Sequence, residues 1–223
     1  MKLLAIETSS EVGSVALLDD DNLEERRIAT PRQQTERILP MIGELLETAG
    51  LPLENLDGIA FGRGPGSFTG RRIAAAVAQG LGLAVNLPLL PVSSLAAIAQ
   101  GIWRAAGQER SLVCMDARMG EVFWGAYEVR DGLAALFGAE RLSDPGEVGW
   151  TRTGAWGAVG SGFDAYANEL ANVIAAARSV HTASRPNAVD LLPQALADLR
   201  GGRIQPAEKA TPVYLRDETA WRK

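Results

Sequence analysis

Cysteine and histidine are almost absent from this chain of 223 residues, which contains one of each, Cys114 and His181. A lone cysteine cannot form an internal disulfide, a pattern typical of proteins from reducing compartments. One histidine cannot form a His–His pair of metal ligands, and a histidine-dependent triad would have to be built on His181. Because Cys114 follows Val113 within a predicted strand, we expect it to fill the core and not to act as a nucleophile.

Long apolar runs and long basic runs are missing as well. The most apolar stretch, residues 73–92, is broken by glycine, proline and polar residues, so we expect no membrane span. The apolar residues 3–6 are too few for the core of a signal peptide, and we expect a soluble, cytoplasmic protein. The net charge is −5, and no basic run is longer than a pair of arginines. Both features disfavour a protein that binds nucleic acid through phosphate contacts alone.

The composition, 47% apolar and 22% charged, is that of a globular protein with one large domain or two small ones. In the first half, the pattern predicts strands over residues 2–7, 14–19, 23–29, 56–61 and 88–92, and helices over residues 36–49, 68–85 and 95–106. In the second half, it predicts strands over residues 111–116, 121–129 and 155–159, and helices over residues 164–177 and 189–199. This alternation is typical of an α/β fold.

The second half repeats the opening pattern of the first. A strand that ends in Asp116 is followed by a turn with Gly120 and then by another strand. In the same way, the strand that ends in Glu7 is followed by Gly13 and a strand. A repeat that restarts near the midpoint of the chain suggests a duplication.

The predicted domain organisation follows from this repeat. We place a first lobe at residues 1–106 and a second lobe at residues 107–223. Two glycines, Gly201 and Gly202, mark a break before the last segment. We expect that segment, residues 207–223, to pack back on the first lobe.

The first two predicted helices carry more apolar and small side chains than one sheet covers. In the helix over residues 36–49, a wide apolar arc includes Ile38, Leu39, Met41, Ile42 and Leu45. In the helix over residues 68–85, we expect Ile73, Val77 and Leu81 to face the sheet, which leaves small residues on the opposite side, namely Ala75, Ala78 and Gly82. Small residues allow another helix to approach closely. We therefore predict a partner interface formed by these five apolar and three small residues; the alternative is that both helices pack fully within their own domain.

Residues 62–71 form a glycine-rich connection into the second helix, and Ser67 is placed to cap that helix. The free N–H groups of such a loop can hold an anion, although no Gly-Lys-Ser/Thr follows as in a P-loop. An acid and three hydroxyl residues close the first strand, in the segment Glu7-Thr8-Ser9-Ser10. We predict a conditional nucleotide or anion site formed by Glu7, Thr8, Ser9, Gly64 and Gly66. The alternatives are a tight connection without a ligand and an ordinary strand end.

Six segments are similar, in chain order, to the TsaB family, also called YeaZ: residues 5–10, 35–42, 62–71, 92–95, 116–122 and 212–216. The resemblance spans the whole chain, with a looser match over about residues 130–210. It implies a duplicated actin-like, Hsp70-like (ASKHA) α/β fold. Such a fold has two lobes, each with a mixed β-sheet flanked by helices.

The resemblance also implies a function. Proteins of this family act in the formation of threonylcarbamoyladenosine, next to the anticodon of tRNAs that read codons starting with A. They are non-catalytic partners that hold and activate the transferase TsaD in a heterodimer formed through the two N-terminal helices, and the ATPase TsaE joins the assembly. Alone, they form homodimers through the same surface. The tRNA is contacted only through the complex.

The resemblance implies neither a catalytic residue nor a metal in this chain. TsaD-like proteins bind a metal through two histidines on the helix that corresponds to residues 34–42, where this chain has Gln34 and no histidine. The resemblance implies that the protein requires no cofactor, and that ATP or ADP can be bound at its interface with TsaD. The pair Asp116 and Arg118 is more typical of a structural brace than of a catalytic acid. Two alternatives stay open: an ATPase or small-molecule kinase of the same fold that uses Glu7 and Asp116, and a module that binds tRNA directly.

Overall fold

The structure, a computed structural model, describes residues 1–28, 33–149 and 154–216. The last residue of the predicted third strand, Ala29, lies outside the described residues, and so do residues 217–223 of the predicted last segment. Over the described ranges, no helix combines the length and the hydropathy needed to cross a membrane.

The chain folds into two compact units. The first contains residues 1–97 together with residues 186–212. The second contains residues 98–185 together with the chain from Val213 onward. Each unit is built around one five-stranded mixed sheet.

The sheet of the first unit has the strand order β3-β2-β1-β4-β5. Its strands are β1 (Lys2–Glu7), β2 (Ser14–Asp19), β3 (Asn22–Arg27), β4 (Gly58–Gly64) and β5 (Leu89–Ser93). β1, β2 and β3 pair antiparallel, whereas β4 is parallel to β1 and β5 is parallel to β4. The central strands β1 and β4 are almost fully buried, as expected for strands that are covered on both faces.

Helices cover both faces of this sheet. Because side chains alternate along a strand, Leu4 and Ile6 of β1 face α1 (Gln34–Ala49) and α2 (Phe68–Val85). Leu3 and Ala5 face the other side, which is covered by a 3-10 turn (Ala188–Leu191), by α6 (Leu192–Arg200) and by the start of α3 (Ser94–Ala106). α1 and α2 therefore lie side by side in one layer.

The sheet of the second unit repeats this arrangement. Its order is β10-β9-β6-β7-β8, with β6 (Arg110–Arg118), β7 (Glu121–Arg130), β8 (Leu133–Ser143), β9 (Gly157–Val159) and β10 (Ser179–His181). β6, β7 and β8 pair antiparallel and β9 and β10 are parallel to β6, so that each strand has a counterpart of the same direction in the first sheet. One face is covered by α4 (Gly162–Ala165) and α5 (Ala171–Ala176). The predicted duplicated α/β fold, with one mixed sheet in each lobe, is confirmed.

The division between the units differs from the predicted boundary. Residues 98–106, which we placed in the first lobe, belong to the second unit, and so do residues 213–216 of the segment that we expected to pack on the first lobe. Residues 186–206, which we placed in the second lobe, belong to the first unit. The reason is packing, since Ala188, Leu191 and Leu192 are buried against the first sheet and the Ala188 N–H donates to Ser14 Oγ at 2.8 Å. The amphipathic pattern of a helix does not specify which of two sheets it covers.

We expect Leu191→Ala to destabilise the first unit by roughly 2–5 kcal/mol, because it leaves a cavity in a fully buried part of the core. Hydrogen exchange should become faster in the amides of β1 and β4, and the amides of β6 and β7 should be unaffected. Faster exchange confined to β6 and β7 would contradict the assignment of this segment to the first unit.

Candidate functional site

The end of β1 lies in a closed junction with the loop that follows β4. The Glu7 carboxylate is fully buried. Its Oε1 accepts a hydrogen bond from the Ser9 N–H at 2.5 Å, and its Oε2 accepts one from the Ser94 hydroxyl at 2.9 Å. Burial raises the pKa of Glu7 above its ordinary value, and the bonds from Ser9 and Ser94 only partly oppose this effect. The carboxylate thus connects β1 to the start of α3.

The two loops of this junction also touch through their backbones. The Thr8 hydroxyl donates to the Gly70 carbonyl at 2.6 Å, and the Ser67 N–H donates to the Ser9 carbonyl at 2.7 Å. A Cβ at Gly70 would lie 1.8 Å from the Thr8 carbonyl oxygen, and one at Gly66 would lie 2.5 Å from that of Ser9. Ser67 Oγ caps α2 as predicted, by accepting from the Gly70 N–H at 3.3 Å. The glycines are therefore used for close approach of two segments of backbone.

The structure brings together the five residues of the predicted nucleotide or anion site, and all are buried: Glu7, Thr8, Ser9, Gly64 and Gly66. Their neighbour Gly62 packs directly on the carboxylate, since a Cβ there would lie 2.0 Å from Glu7 Oε2. Ser9 Oγ is buried without a hydrogen-bond partner among the residues that the structure describes. These contacts are those of a tight strand-to-helix connection, which was one of the alternatives. Nucleotide binding by these residues stays a prediction.

Gln34, the first residue of α1, is held by two hydrogen bonds from its side-chain amide. Its Nε2 donates to the Ser10 carbonyl at 3.2 Å and to the Glu11 carbonyl at 2.8 Å. The side chain therefore ties the first turn of α1 to the loop between β1 and β2. Within residues 1–28, 33–149 and 154–216, no group of three or more His, Cys, Asp or Glu side chains is arranged to hold a metal ion.

Asp116, the counterpart of Glu7 in the second unit, acts as a brace. Its Oδ1 accepts hydrogen bonds from the Arg118 N–H at 2.8 Å and the Tyr166 hydroxyl at 3.1 Å, and its Oδ2 pairs with the Arg118 guanidinium at 3.1 Å.

Cys114 is fully buried in the core of this unit, and burial raises the pKa of its thiol. The predicted core position of Cys114 is confirmed.

The predicted interface residues of α1 are mostly buried inside the first unit. Four of them pack in the core against the sheet: Ile38, Met41, Ile42 and Leu45. Leu39 alone among the five is exposed, at 52%. Pro40 lies inside α1, beyond its first turn and on its exposed side. There the Glu36 carbonyl, which loses its helical partner, can be hydrated.

The predicted orientation of α2 is wrong. Ala75, Ala78 and Gly82 face the sheet, and a Cβ at Gly82 would lie 2.9 Å from Leu89 Cδ2. The larger residues that we placed toward the sheet are only half-buried at the edge of this contact: Ile73, Val77 and Leu81. Small residues allow the helix axis to lie close to the sheet, so the side of α2 that carries them faces the sheet. Ala75, Ala78 and Gly82 consequently cannot contact a partner in this structure.

A different set of residues is exposed on these two helices. On α2 the exposed side includes Ala76, Gly80, Ala84 and Leu83, which is 62% exposed, and no charged residue follows Arg72 in the helix. We call the exposed residues Leu39, Ala76, Gly80, Leu83 and Ala84 the outer helix face. A large exposed leucine among small uncharged residues is typical of a protein contact surface.

We expect Ala78→Leu to destabilise the protein by about 1–3 kcal/mol, because the added side chain would enter a packed contact between helix and sheet. The matched variant Ala76→Leu, two residues away on the exposed side, should change the free energy of unfolding by less than about 0.5 kcal/mol. Thermal or denaturant unfolding measures the change in the free energy of unfolding for both variants. If Ala76→Leu destabilised the protein more than Ala78→Leu, the orientation of α2 that the sequence predicted would be correct after all.

We expect Glu7→Gln to stabilise the protein at pH 8, because an amide can keep both hydrogen bonds without a buried charge. Since the pKa of Glu7 is raised in the folded state, its contribution to stability is present at low pH and is lost as the pH rises through the folded-state pKa. The stability advantage of Glu7→Gln over wild type should therefore shrink toward pH 4.

Glu7→Ala should instead lower the free energy of unfolding by roughly 1–3 kcal/mol at low pH, since Ser9 and Ser94 lose their acceptor. Unfolding curves of the three proteins between pH 4 and 8 test this, and an advantage of Glu7→Gln that is larger at pH 4 would contradict it.

Comparison with known proteins shows which protein family the chain resembles. A family model described as TsaD, tRNA N6-adenosine threonylcarbamoyltransferase, matches residues 28–149, more than half of the chain. Similar relatives carry another name, tRNA threonylcarbamoyladenosine biosynthesis protein TsaB. The one from Escherichia coli (strain K12) is 41% identical over 229 residues, which cover 100% of this chain and 98% of that protein. The one from Haemophilus influenzae is 35% identical over 233 residues, covering 100% and 97%.

A solved structure agrees with this relationship. YeaZ from Pseudomonas aeruginosa matches with a TM-score of 0.88 and 39% sequence identity, covering 96% of this chain and 99% of that chain. The match extends over both units, so that the duplicated fold is that of the actin-like, ASKHA type implied by the resemblance. The chain therefore belongs to the TsaB/YeaZ family.

Proposed function

We propose that this chain is a non-catalytic partner and activator of TsaD. In this role it supports formation of the threonylcarbamoyl group on the tRNA adenosine next to the anticodon, in tRNAs that read codons starting with A. The proposal is supported by the family, whose members are named for threonylcarbamoyladenosine biosynthesis. The single structural observation that carries it is the outer helix face, two exposed leucines and three small residues on adjacent helices, on a side of α2 that has no charged residue after Arg72.

The match to a TsaD family model supports pairing with TsaD through these helices. The matched residues 28–149 include α1 and α2, so TsaD is expected to carry corresponding helices. In a two-fold symmetric dimer, each subunit contributes the same patch of surface. Two related chains can use corresponding patches in the same manner, which accounts for a heterodimer with TsaD and for a homodimer when this chain is alone.

The positions of the reactive side chains support an accessory role. Both oxygens of Glu7 accept hydrogen bonds in a buried junction, and Asp116 braces a turn through Arg118 and Tyr166. The thiol of Cys114 is enclosed in the core. A carboxylate that acts on bound ATP would have to reach the phosphates or their metal ion. The alternative of an ATPase or kinase that uses Glu7 therefore has less support.

The other assignments follow from the same role. We propose that the chain needs no cofactor of its own, and that ATP or ADP, where it takes part, is bound at the interface with TsaD. TsaE joins the assembly through the complex. The tRNA is held indirectly, in agreement with the net charge of −5, and the protein acts in the cytoplasm.

We expect Leu83→Glu to weaken binding to TsaD at least about tenfold, because it places an unpaired charge on the outer helix face. The variant should stay folded, since Leu83 is largely exposed. Leu136→Glu, at an exposed leucine of β8, is the matched control and should bind as wild type. Calorimetry with purified TsaD and a tRNA modification assay measure both effects.

Two results would contradict the proposal. Unchanged TsaD affinity of Leu83→Glu, with wild type bound, would show that the outer helix face is not the interface. Turnover of Mg-ATP by the isolated chain, abolished by Glu7→Ala in a folded variant, would favour the ATPase or kinase.

A further inference from the structure

The hairpin between β6 and β7 has a turn whose sequence does not suit its backbone. Met119 and Gly120 connect the paired residues Arg118 and Glu121, with φ angles of 59° and 79°. The next hairpin of the same sheet has a turn of the same length, Asp131 and Gly132, with φ angles of 51° and 79°. Two-residue turns with positive φ at both positions favour Asn or Asp before Gly, because these short polar side chains tolerate the left-handed region. Asp131 follows this rule and Met119 does not.

The left-handed backbone extends one residue further on the N-terminal side. Arg118 has a φ of 62° and lies at an irregularity in the pairing of β6 with β7. Three successive residues are thus left-handed, and two of them carry a Cβ that disfavours this conformation. Strained backbone of this kind persists only where its surroundings hold it in place, and it is concentrated at functional sites.

The C-terminal segment supplies the contacts that hold this turn. The Arg216 guanidinium pairs with Glu121 Oε2, donates to the Arg118 carbonyl at 3.3 Å and donates to Met119 Sδ at 3.7 Å. The Arg216 side chain is only 9% exposed. On the other side of the turn, the Asp116 carboxylate accepts from the Arg118 N–H. These contacts hold the backbone of the turn, and one of them reaches the Met119 thioether.

Met119 nevertheless contributes little to the core, because it is 68% exposed at the tip of the hairpin. Methionine is flexible and polarizable, and it is common at surfaces that bind other proteins. The charges around it are paired within the chain, Arg118 with Asp116 and Arg216 with Glu121. A paired, neutral tip is poorly suited to phosphate groups of RNA or lipid, whereas a protruding thioether fits an apolar pocket of a protein.

We propose that Met119 is a docking residue that inserts into an apolar pocket of TsaD, and that Arg216 positions it. This inference rests on the proposed pairing with TsaD and adds a second contact, formed by the second unit. An apolar side chain held in place by its neighbours binds with a smaller loss of conformational entropy than a free one. That advantage accounts for a methionine at a position where folding alone would favour asparagine or aspartate.

The test compares Met119→Asn with wild type in two measurements. Thermal unfolding should show a Tm higher by about 1–3 °C, because asparagine suits the turn better. The dissociation constant for purified TsaD should increase at least about tenfold, because the inserted side chain is lost. A role limited to the fold cannot give higher stability together with weaker binding.

Two further variants complete the design. Met119→Leu keeps an apolar side chain of similar volume and should bind TsaD within about threefold of wild type. Asp131→Asn in the neighbouring turn should alter neither Tm nor affinity. Unchanged TsaD affinity of Met119→Asn, while Leu83→Glu weakens binding, would overturn this inference and leave the proposed function intact. If wild type itself does not bind TsaD, both proposals fail, and a loss of binding to tRNA alone in Met119→Asn would assign the tip to RNA.

Discussion

The close contact between α2 and the first sheet is the constraint on which the rest of this structure depends. It is possible because side chains are absent at Gly62, Gly66, Gly70 and Gly82, where a Cβ would lie 1.8–2.9 Å from the facing atoms. Glu7 is buried in the same region. The contact also fixes the rotation of α2 and thereby decides which side chains face outward. The same glycines that suggested a ligand site therefore determine the surface available to a partner.

Much of the fold could be predicted from the sequence, because strand and helix signals in the first half are strong. The predicted helix over residues 68–85 has the observed bounds of α2, and the repeat at Asp116 indicated the second mixed sheet. The rotation of α2 could not be predicted from apolar periodicity, since that pattern weights large side chains and this helix packs through small ones. A signal was present in Gly70, Ala74, Ala78 and Gly82, which lie on one side of a helix.

The second half was harder to predict because its elements are short or carry mixed patterns. β8 (Leu133–Ser143) and β10 (Ser179–His181) were not predicted, and the helix expected over residues 164–177 is two short helices separated by residues 166–170. β8 contains glycine and charged residues, and it is defined by its pairing with β7. The return of α6 to the first unit depends on tertiary packing that periodicity does not encode. The burial of Glu7, Thr8, Ser9, Gly64 and Gly66 could not be read from the sequence, because it depends on the contact between two segments that are distant in the chain.

The account has one central claim, that the outer helix face of α1 and α2 binds TsaD while Glu7 and Asp116 hold loops in place. Hydroxyl-radical footprinting of the isolated chain and of its complex with TsaD tests it most directly, at a protein concentration low enough to keep the chain monomeric. The account predicts that TsaD protects Leu39 and Leu83, and that the exposed Leu136 and Ile204 react equally in both samples. Equal labelling of Leu39 and Leu83 with and without bound TsaD would contradict the claim.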